Sequence, residues 1–179
     1  EPCPCKSNIK FKRCCGKSSA ALSLRAAPPK SIREQNLTLI DAIEDILGLH
    51  TGKTWKVVRE TLCSTQVREI YQAVALIWPE QQGIVGYLPE PDNTLRALYV
   101  SGSRPEDLQR NVWRFSLYAD EIWVPLPFMI PWRMKPLAHP MIVPGEHLIS
   151  TLSGCYYMLQ LKPWIEAGIV YAVPSLAEY

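Results

Sequence analysis

The chain has 179 residues, long enough for one domain with a small appendage, and apolar residues make up 47% of it, enough to bury a core. No stretch approaches the roughly 18 consecutive apolar residues of a membrane helix, so we expect no membrane span. The net charge of +2 hides an asymmetry, since residues 1–33 hold eight Lys/Arg and one Glu, net +7, whereas residues 34–179 hold eleven bases and sixteen acids, net −5. We expect this basic arm to meet an acidic protein surface or nucleic acid; the alternative is a merely solubilising tail.

The cysteines are distributed unevenly along the chain. Four of the six fall within residues 3–15, and Cys63 and Cys155 stand alone. A secreted disulfide scaffold spreads its cysteines along the chain and follows a signal peptide, and the N-terminus here has no apolar segment of that kind. The pattern therefore indicates a metal site in a reducing compartment, and we expect a cytoplasmic protein.

The N-terminal cysteines have the arrangement of a zinc knuckle, which we assign to residues 1–16. Zn²⁺ binds four thiolates at tetrahedral corners, and two close pairs joined by a short hairpin can supply them. The predicted ligands are Cys3, Cys5, Cys14 and Cys15. Four thiolates on one Zn²⁺ carry a formal charge of −2, which part of the surrounding basic charge compensates.

The order C-P-C, eight residues, C-C resembles the SEC-C motif, a small zinc motif found at the C-terminus of the translocase ATPase SecA and in many other bacterial proteins. The resemblance covers residues 2–16, with Cys15 at the final His-or-Cys position. The chain has Lys6-Ser7-Asn8 where the motif commonly has Gly-Ser-Gly. The resemblance implies a bacterial protein, bound zinc and a partner-docking role, for which the candidate contacts are Lys10, Phe11, Lys12 and Arg13.

Two helices are predicted after a linker at residues 17–30, within a helical segment at residues 31–79. Ser31 and Glu34 form a capping-box pattern, and helical apolar spacing continues to Gly48. A second helix is predicted from Thr54 to Pro79. The residues between Gly48 and Thr54 resemble a phosphate loop, but only three residues separate the glycines and a helix precedes them. We therefore predict a helix cap and a turn there.

An α/β body is predicted over residues 80–179, and we expect the chain to be a piece of a longer protein or to have trimmed termini. Predicted helices cover residues 103–119 and 145–161, with a further turn opening at Pro163. Alternation of strands and helices indicates a mostly parallel, three-layer β-α-β body. The predicted strands are Ile84–Leu88, Leu95–Val100, Glu121–Val124 and Ile169–Val173.

The end of the second predicted strand is a candidate anion site. Ser101, Ser103 and Arg104 offer two hydroxyls and a guanidinium where a helix begins, and the first N–H groups of a helix attract anions. The alternative is a plain N-cap at Ser103 followed by Glu106.

Two functions remain open from the sequence. The first is a zinc-binding interaction or regulatory protein, and the second is an enzyme acting on nucleic acid or nucleotides, of defence or toxin type, with catalytic residues partly outside this chain. The Pro125–Pro144 loop contains no Asp or Glu, which counts against metal-ion hydrolysis, although its Trp132–Lys135 segment could contact nucleic acid. Cys63 and Cys155 are predicted to be buried on helix faces rather than to act as nucleophiles.

Overall fold

The structure, a computed structural model, describes residues 31–78, 92–102, 104–128 and 146–174. The knuckle, the linker, the predicted strand Ile84–Leu88 and most of the Pro-rich loop lie outside the described residues. The predicted capping box at Ser103 also lies outside them. Domain boundaries therefore stay predictions, and the fold below concerns the described part of the chain.

The first helix, α1 (Ile32–Leu47), begins and ends where the sequence predicts. The Ser31 hydroxyl accepts from the Glu34 N–H at 3.1 Å, and the Glu34 carboxylate accepts from the Ser31 N–H at 3.0 Å, which confirms the capping box. Gly48 ends the helix in the left-handed conformation (φ 78°), where a Cβ would be strained. Thr54 then caps the next helix, so the loop between them is a cap and a turn, as predicted.

The single helix predicted from Thr54 to Pro79 is wrong, because the chain breaks into α2 (Trp55–Thr61) and α3 (Ser64–Ile77). Gln66 accounts for the break. Its side-chain oxygen accepts from the Cys63 N–H at 3.2 Å, and its side-chain amide donates to the Ile46 carbonyl at 2.9 Å. A buried glutamine thus caps α3 and fixes that cap to α1, a tertiary contact that helical periodicity does not reveal.

Three short parallel strands form a sheet in the order β1-β2-β3: β1 (Ala97–Tyr99), β2 (Glu121–Pro125) and β3 (Val170–Val173). The register pairs Leu98 with Ile122 and Val124 with Ala172. The chain therefore has a mixed α/β fold with a parallel sheet, as predicted; the three-layer arrangement stays a prediction. The second predicted strand is not buried as expected, since Leu95 is 60% exposed and β1 is only half-buried.

Two helices cross between the strands, and both differ from prediction at an end. After a 3-10 turn (Pro105–Asp107), α4 (Leu108–Phe115) stops four residues early and leaves Leu117 exposed, because the chain must turn there to bury Ala119 and enter β2. The long helix α5 (Glu146–Glu166) runs through Pro163 without a new start. Pro163 lies on the exposed face, where water can reach the carbonyl that it leaves unpaired.

Helix α1 packs against α3, α5 and β3, so the core of the helical segment is continuous with that of the sheet. Asn36, fully buried, pairs with the outer edge of β3: its amide donates to the Ala172 carbonyl at 2.7 Å, and its carbonyl accepts from the Ala172 N–H at 2.8 Å. One side chain thereby satisfies both backbone groups that a neighbouring strand would otherwise bond.

Candidate functional site

The carboxyl ends of β1 and β2 open into a crevice against one face of α5. Its volume is about 380 Å³, within the range of small-molecule sites. This is the edge at which open parallel sheets bind ligands. Eight residues line it: Gly102, Pro125, Leu126, Pro127, Ser150, Ser153, Gly154 and Tyr157.

Neither Ser101 nor Arg104 of the predicted anion site is among the residues that line this crevice. Ser101 and Arg104 are exposed, and Gly102 between them lines the crevice with φ 74°. Ser103 lies outside the described residues, so neither its hydroxyl nor the predicted cap is placed. The anion site therefore remains a prediction for Ser101, Ser103 and Arg104.

Helix α5 supplies the wall of the crevice that the sequence analysis missed. Ser150, Ser153, Gly154 and Tyr157 recur at spacings of three and four residues, so they lie along one helical face. A Cβ on Gly154 would approach a Phe128 ring carbon at 2.8 Å and the Pro127 carbonyl oxygen at 2.9 Å, so only glycine lets α5 come this close to the loop after β2. The small residues of α5 are the sequence feature that marks this wall. Apolar residues on the other sides of the helix made that feature hard to recognise.

Tyr157 is the buried polar residue of the crevice. It is 8% exposed, and burial raises the pKa of its phenol to about 12, so the hydroxyl stays protonated at neutral pH. Its neighbour Tyr156 is 41% exposed and packs on Trp55, with ring centroids 5.5 Å apart. The buried stripe of α5 passes through Cys155 and Met158, which leaves Tyr156 outside it.

Neither lone cysteine is arranged as a nucleophile. Cys155 is fully buried, and burial raises the pKa of its thiol to about 12, so the reactive thiolate is strongly disfavoured at neutral pH. Cys63 is buried at the start of α3. The prediction that both belong to the core is confirmed.

A cluster of potential metal ligands occurs on α1 and the 3-10 turn that follows it, but a lysine already pairs with its central carboxylate. Side-chain atoms of Asp41, Glu44 and His50 lie within 4.8 Å of one another. The Lys162 ammonium, however, lies 2.8 and 3.0 Å from the two Glu44 oxygens. The hydrogen bond to Glu44 raises the pKa of Lys162, which keeps that ammonium charged. A cation would have to displace Lys162, so we assign no metal site here.

The basic arm is one residue shorter than the sequence implies. Arg33, counted among the charges available to a partner, donates to the Ile165 carbonyl at 3.1 Å and to the Glu166 carbonyl at 2.7 Å. These are carbonyls of the last turn of α5, which a guanidinium both satisfies and stabilises. Arg33 therefore stabilises the fold and is not counted among the charges available to a partner. Residues 1–30 then carry seven Lys/Arg and one Glu, net +6.

The predicted zinc ligands Cys3, Cys5, Cys14 and Cys15, and the predicted partner contacts Lys10, Phe11, Lys12 and Arg13, all lie outside the described residues. Their geometry is therefore untested, and both assignments remain predictions. Among the helices that the structure describes, none has the length and apolar character that crossing a bilayer requires.

Comparison with known proteins bears on the N-terminus alone. Residues 1–17 match the sequence profile of the SEC-C motif, a motif of zinc-binding type. Neither the curated proteins nor the solved structures gave a match to the chain. The resemblance seen in the cysteine spacing is therefore confirmed, and it extends over the first 17 residues.

Proposed function

We propose that the protein is a zinc-binding interaction module, in which the knuckle docks onto an acidic protein surface and the α/β body is the regulated or regulating partner in the same chain. The observation that carries this proposal is the SEC-C match over residues 1–17, which contains all four predicted ligands. A Cys₄ zinc site closes its coordination sphere and so has a structural role, holding a short segment in one shape for recognition. Such a site suits a cytoplasmic protein.

The charge of the knuckle supports an acidic partner. Five bases lie in or beside it, and the four thiolates with Zn²⁺ carry −2, so a surplus of positive charge remains for an acidic surface. Arg25 and Lys30 add to it in the linker. Surplus charge on an exposed segment accelerates encounter with a partner of opposite sign. The bases of the knuckle are Lys6, Lys10, Lys12, Arg13 and Lys17.

Two observations favour an interaction role over catalysis by the body. Where the structure describes the carboxyl ends of the strands, at 100–102, 126–128 and 174, the sequence has no Asp or Glu to hold a metal or act as a base. The two lone cysteines are buried. We therefore advance no second function for the body on the basis of reactive groups.

The experiment compares two triple variants of equal charge change. In the first, Lys10, Lys12 and Arg13 become Ala, which spares the predicted ligands. In the second, Lys56, Arg59 and Arg68, all exposed on the helical segment, become Ala as the matched control. Affinity for an acidic-protein panel, a single-stranded RNA and a DNA duplex is measured at two salt concentrations.

We expect the knuckle variant to lose binding to acidic proteins, through a slower on-rate, while the control retains it. Exposed charges are screened within roughly 8 Å at physiological ionic strength, so wild-type binding must weaken with salt. Unchanged affinity in the knuckle variant would contradict the proposal. A preference for nucleic acid, with a log–log salt slope of roughly 0.9 per duplex phosphate contact, would contradict the choice of partner.

A further inference from the structure

The outer face of α4 carries large apolar side chains that the fold leaves in solvent. The helix buries Leu108 and Val112 in the core. On the other side, Trp113 is 71% exposed, Leu117 is 68% exposed and Tyr118 is 66% exposed. One exposed apolar residue is ordinary, but a contiguous apolar patch marks a contact with another molecule.

The backbone places Trp113 and Leu117 side by side. After α4 ends at Phe115 the chain keeps a helical path for one more turn, because the Ala119 N–H donates to the Phe115 carbonyl at 3.2 Å. Residues four apart on a helix are neighbours on one face. Trp113 and Leu117 therefore form one apolar surface, and Tyr118 extends it.

The area of this patch suits a small interface. An aromatic side chain has about 150–250 Å² of surface, so the exposed fractions leave roughly 400 Å² of apolar surface on α4. Two such patches in contact bury about 800 Å², and the polar residues around them bring the total toward the roughly 1,200 Å² of a small specific interface. The contact that the patch supports is therefore a reversible one.

The charges beside the patch complement a second copy of the same patch. Arg110 precedes Phe115 by five residues, Asp120 follows it by five, and both are exposed. If two copies meet with their helices antiparallel and a two-fold axis near Phe115, Arg110 of each copy faces Asp120 of the other. The same axis brings Trp113 opposite Leu117. Each contact then occurs twice, as in any two-fold interface.

Arg110 already forms an ion pair with Asp107 in its own chain. Both side chains are exposed, and an exposed pair contributes little to stability, so exchanging it for Asp120 of another copy costs little. Charges of both signs beside one apolar patch favour a partner with the same mixed pattern over a strongly acidic or strongly basic one. A second copy of this chain has that pattern.

From these observations we propose that the outer face of α4 binds the same face of a second copy, which gives a two-fold homodimer centred on Trp113 and Leu117. This contact is separate from the knuckle, and it does not depend on the proposed docking role. The dimer carries two knuckles, so a partner with repeated acidic sites would bind it more tightly than one knuckle alone.

The test measures the oligomeric state of the full zinc-loaded chain by sedimentation velocity, from about 1 to about 300 µM, a range that covers weak complexes. Trp113→Ser and Leu117→Ser remove the apolar centre. Ile149→Ser is the matched control, because Ile149 is an apolar residue of α5 that is equally exposed, at 73%. Arg110→Asp and Asp120→Arg each place like charges opposite each other, and the double variant restores the pair with its signs exchanged. Circular dichroism of each variant checks that it is folded.

We expect the wild type to dimerise with a micromolar dissociation constant. Trp113→Ser should weaken the dimer by at least about tenfold, because a buried tryptophan often dominates an interface, and Ile149→Ser should leave it unchanged. Arg110→Asp and Asp120→Arg should each weaken the dimer, and the double variant should dimerise more tightly than either single variant.

A monomer over the whole concentration range would overturn the proposal. So would a dimer that Trp113→Ser and Ile149→Ser weaken equally, or a double charge variant no tighter than the single ones. Loss of the dimer in the variant of Lys10, Lys12 and Arg13 would place the contact in the knuckle and would also overturn it.

Discussion

The side chain of Asn36 joins helix α1 to strand β3. It occupies the hydrogen-bonding edge of β3, where it replaces one residue of a further strand. A helix and a parallel strand are otherwise joined only by apolar packing, which does not fix one helix against the strand in a unique register. Asn36 fixes that register through its two hydrogen bonds to the backbone of Ala172.

Substituting Asn36 by Ala should therefore destabilise the chain by about 2–6 kcal/mol, because two buried backbone groups lose their partner at about 1–3 kcal/mol each. Asn36→Asp should cost at least as much, since a carboxylate would face the Ala172 carbonyl. Thr38→Ala on the same helix is the control and should change the free energy of unfolding by less than about 0.5 kcal/mol. Urea denaturation measures all three, and equal values for Asn36→Ala and Thr38→Ala would contradict the role of Asn36.

The buried phenol of Tyr157 predicts how stability depends on pH. Its pKa rises from an ordinary value of 10.0 to about 12 in the fold. Between these values the unfolded chain has lost the proton that the folded chain still holds, so stability falls as pH rises through this window. Cys155 acts in the same direction from its ordinary value of 9.0.

Tyr157→Phe should remove its share of that loss, on the order of 2 kcal/mol between roughly pH 10 and 12, because one pKa unit is about 1.4 kcal/mol. The measurement is the free energy of unfolding against pH for wild type, Tyr157→Phe and Tyr156→Phe. The exposed Tyr156 variant should follow the wild-type curve. A Tyr157→Phe curve as steep as that of wild type would show that the phenol is hydrated in the folded state.

At the scale of elements, the sequence predicted those features that depend on near neighbours. The Ser31–Glu34 capping box, the left-handed Gly48 and the alternation of strand and helix all have causes within a few residues, and the structure confirms them. The break at Cys63 and the exposure of Tyr156 depend on contacts with distant elements. In α5 apolar residues occur on every side, so periodicity could not decide which face was buried.

The same reasoning explains why the crevice was found only in the structure. It needs Gly102, Pro125 and Tyr157, which come from three elements of the sheet and helices, to meet at one edge. The predicted anion site, with Ser101 and Arg104, lies at the same sheet edge and stays a prediction. The wall formed by α5 was not predicted, because no local pattern brings Tyr157 to a strand end.

Helix α1 also sets where the folded body begins. A chain starting at Ser31 keeps the capping box and the bonds of Arg33 to the end of α5, so it should melt cooperatively and close to the intact protein, with or without chelator. A chain starting at Gln35 loses both together with the buried Ile32, and it should be less stable by more than about 3 kcal/mol, from the lost cap, carbonyl contacts and apolar burial. Calorimetry of both chains is the measurement. Loss of cooperative melting in the chain from Ser31 would show that the knuckle is part of the core.

At the scale of the whole molecule, the N-terminal 30 residues and the remainder of the chain carry net charges of opposite sign. Residues 1–30 carry a net charge of +6, and the remainder, with twelve bases and sixteen acids, carries −4. The body encloses one apolar core, which includes the helical segment. We expect docking specificity to come from the N-terminal part, whose shape depends on zinc.

Zinc content tests the central claim most directly. Elemental analysis of the purified full chain should give one zinc per chain, and Cys14→Ser and Cys15→Ser should each lose most of it, because a thiolate of the four-ligand site is removed. Cys63→Ser, which changes a buried cysteine of the body, is the matched control and should keep the zinc. Full zinc retention in Cys14→Ser or Cys15→Ser, or loss in Cys63→Ser, would contradict the assignment of the knuckle.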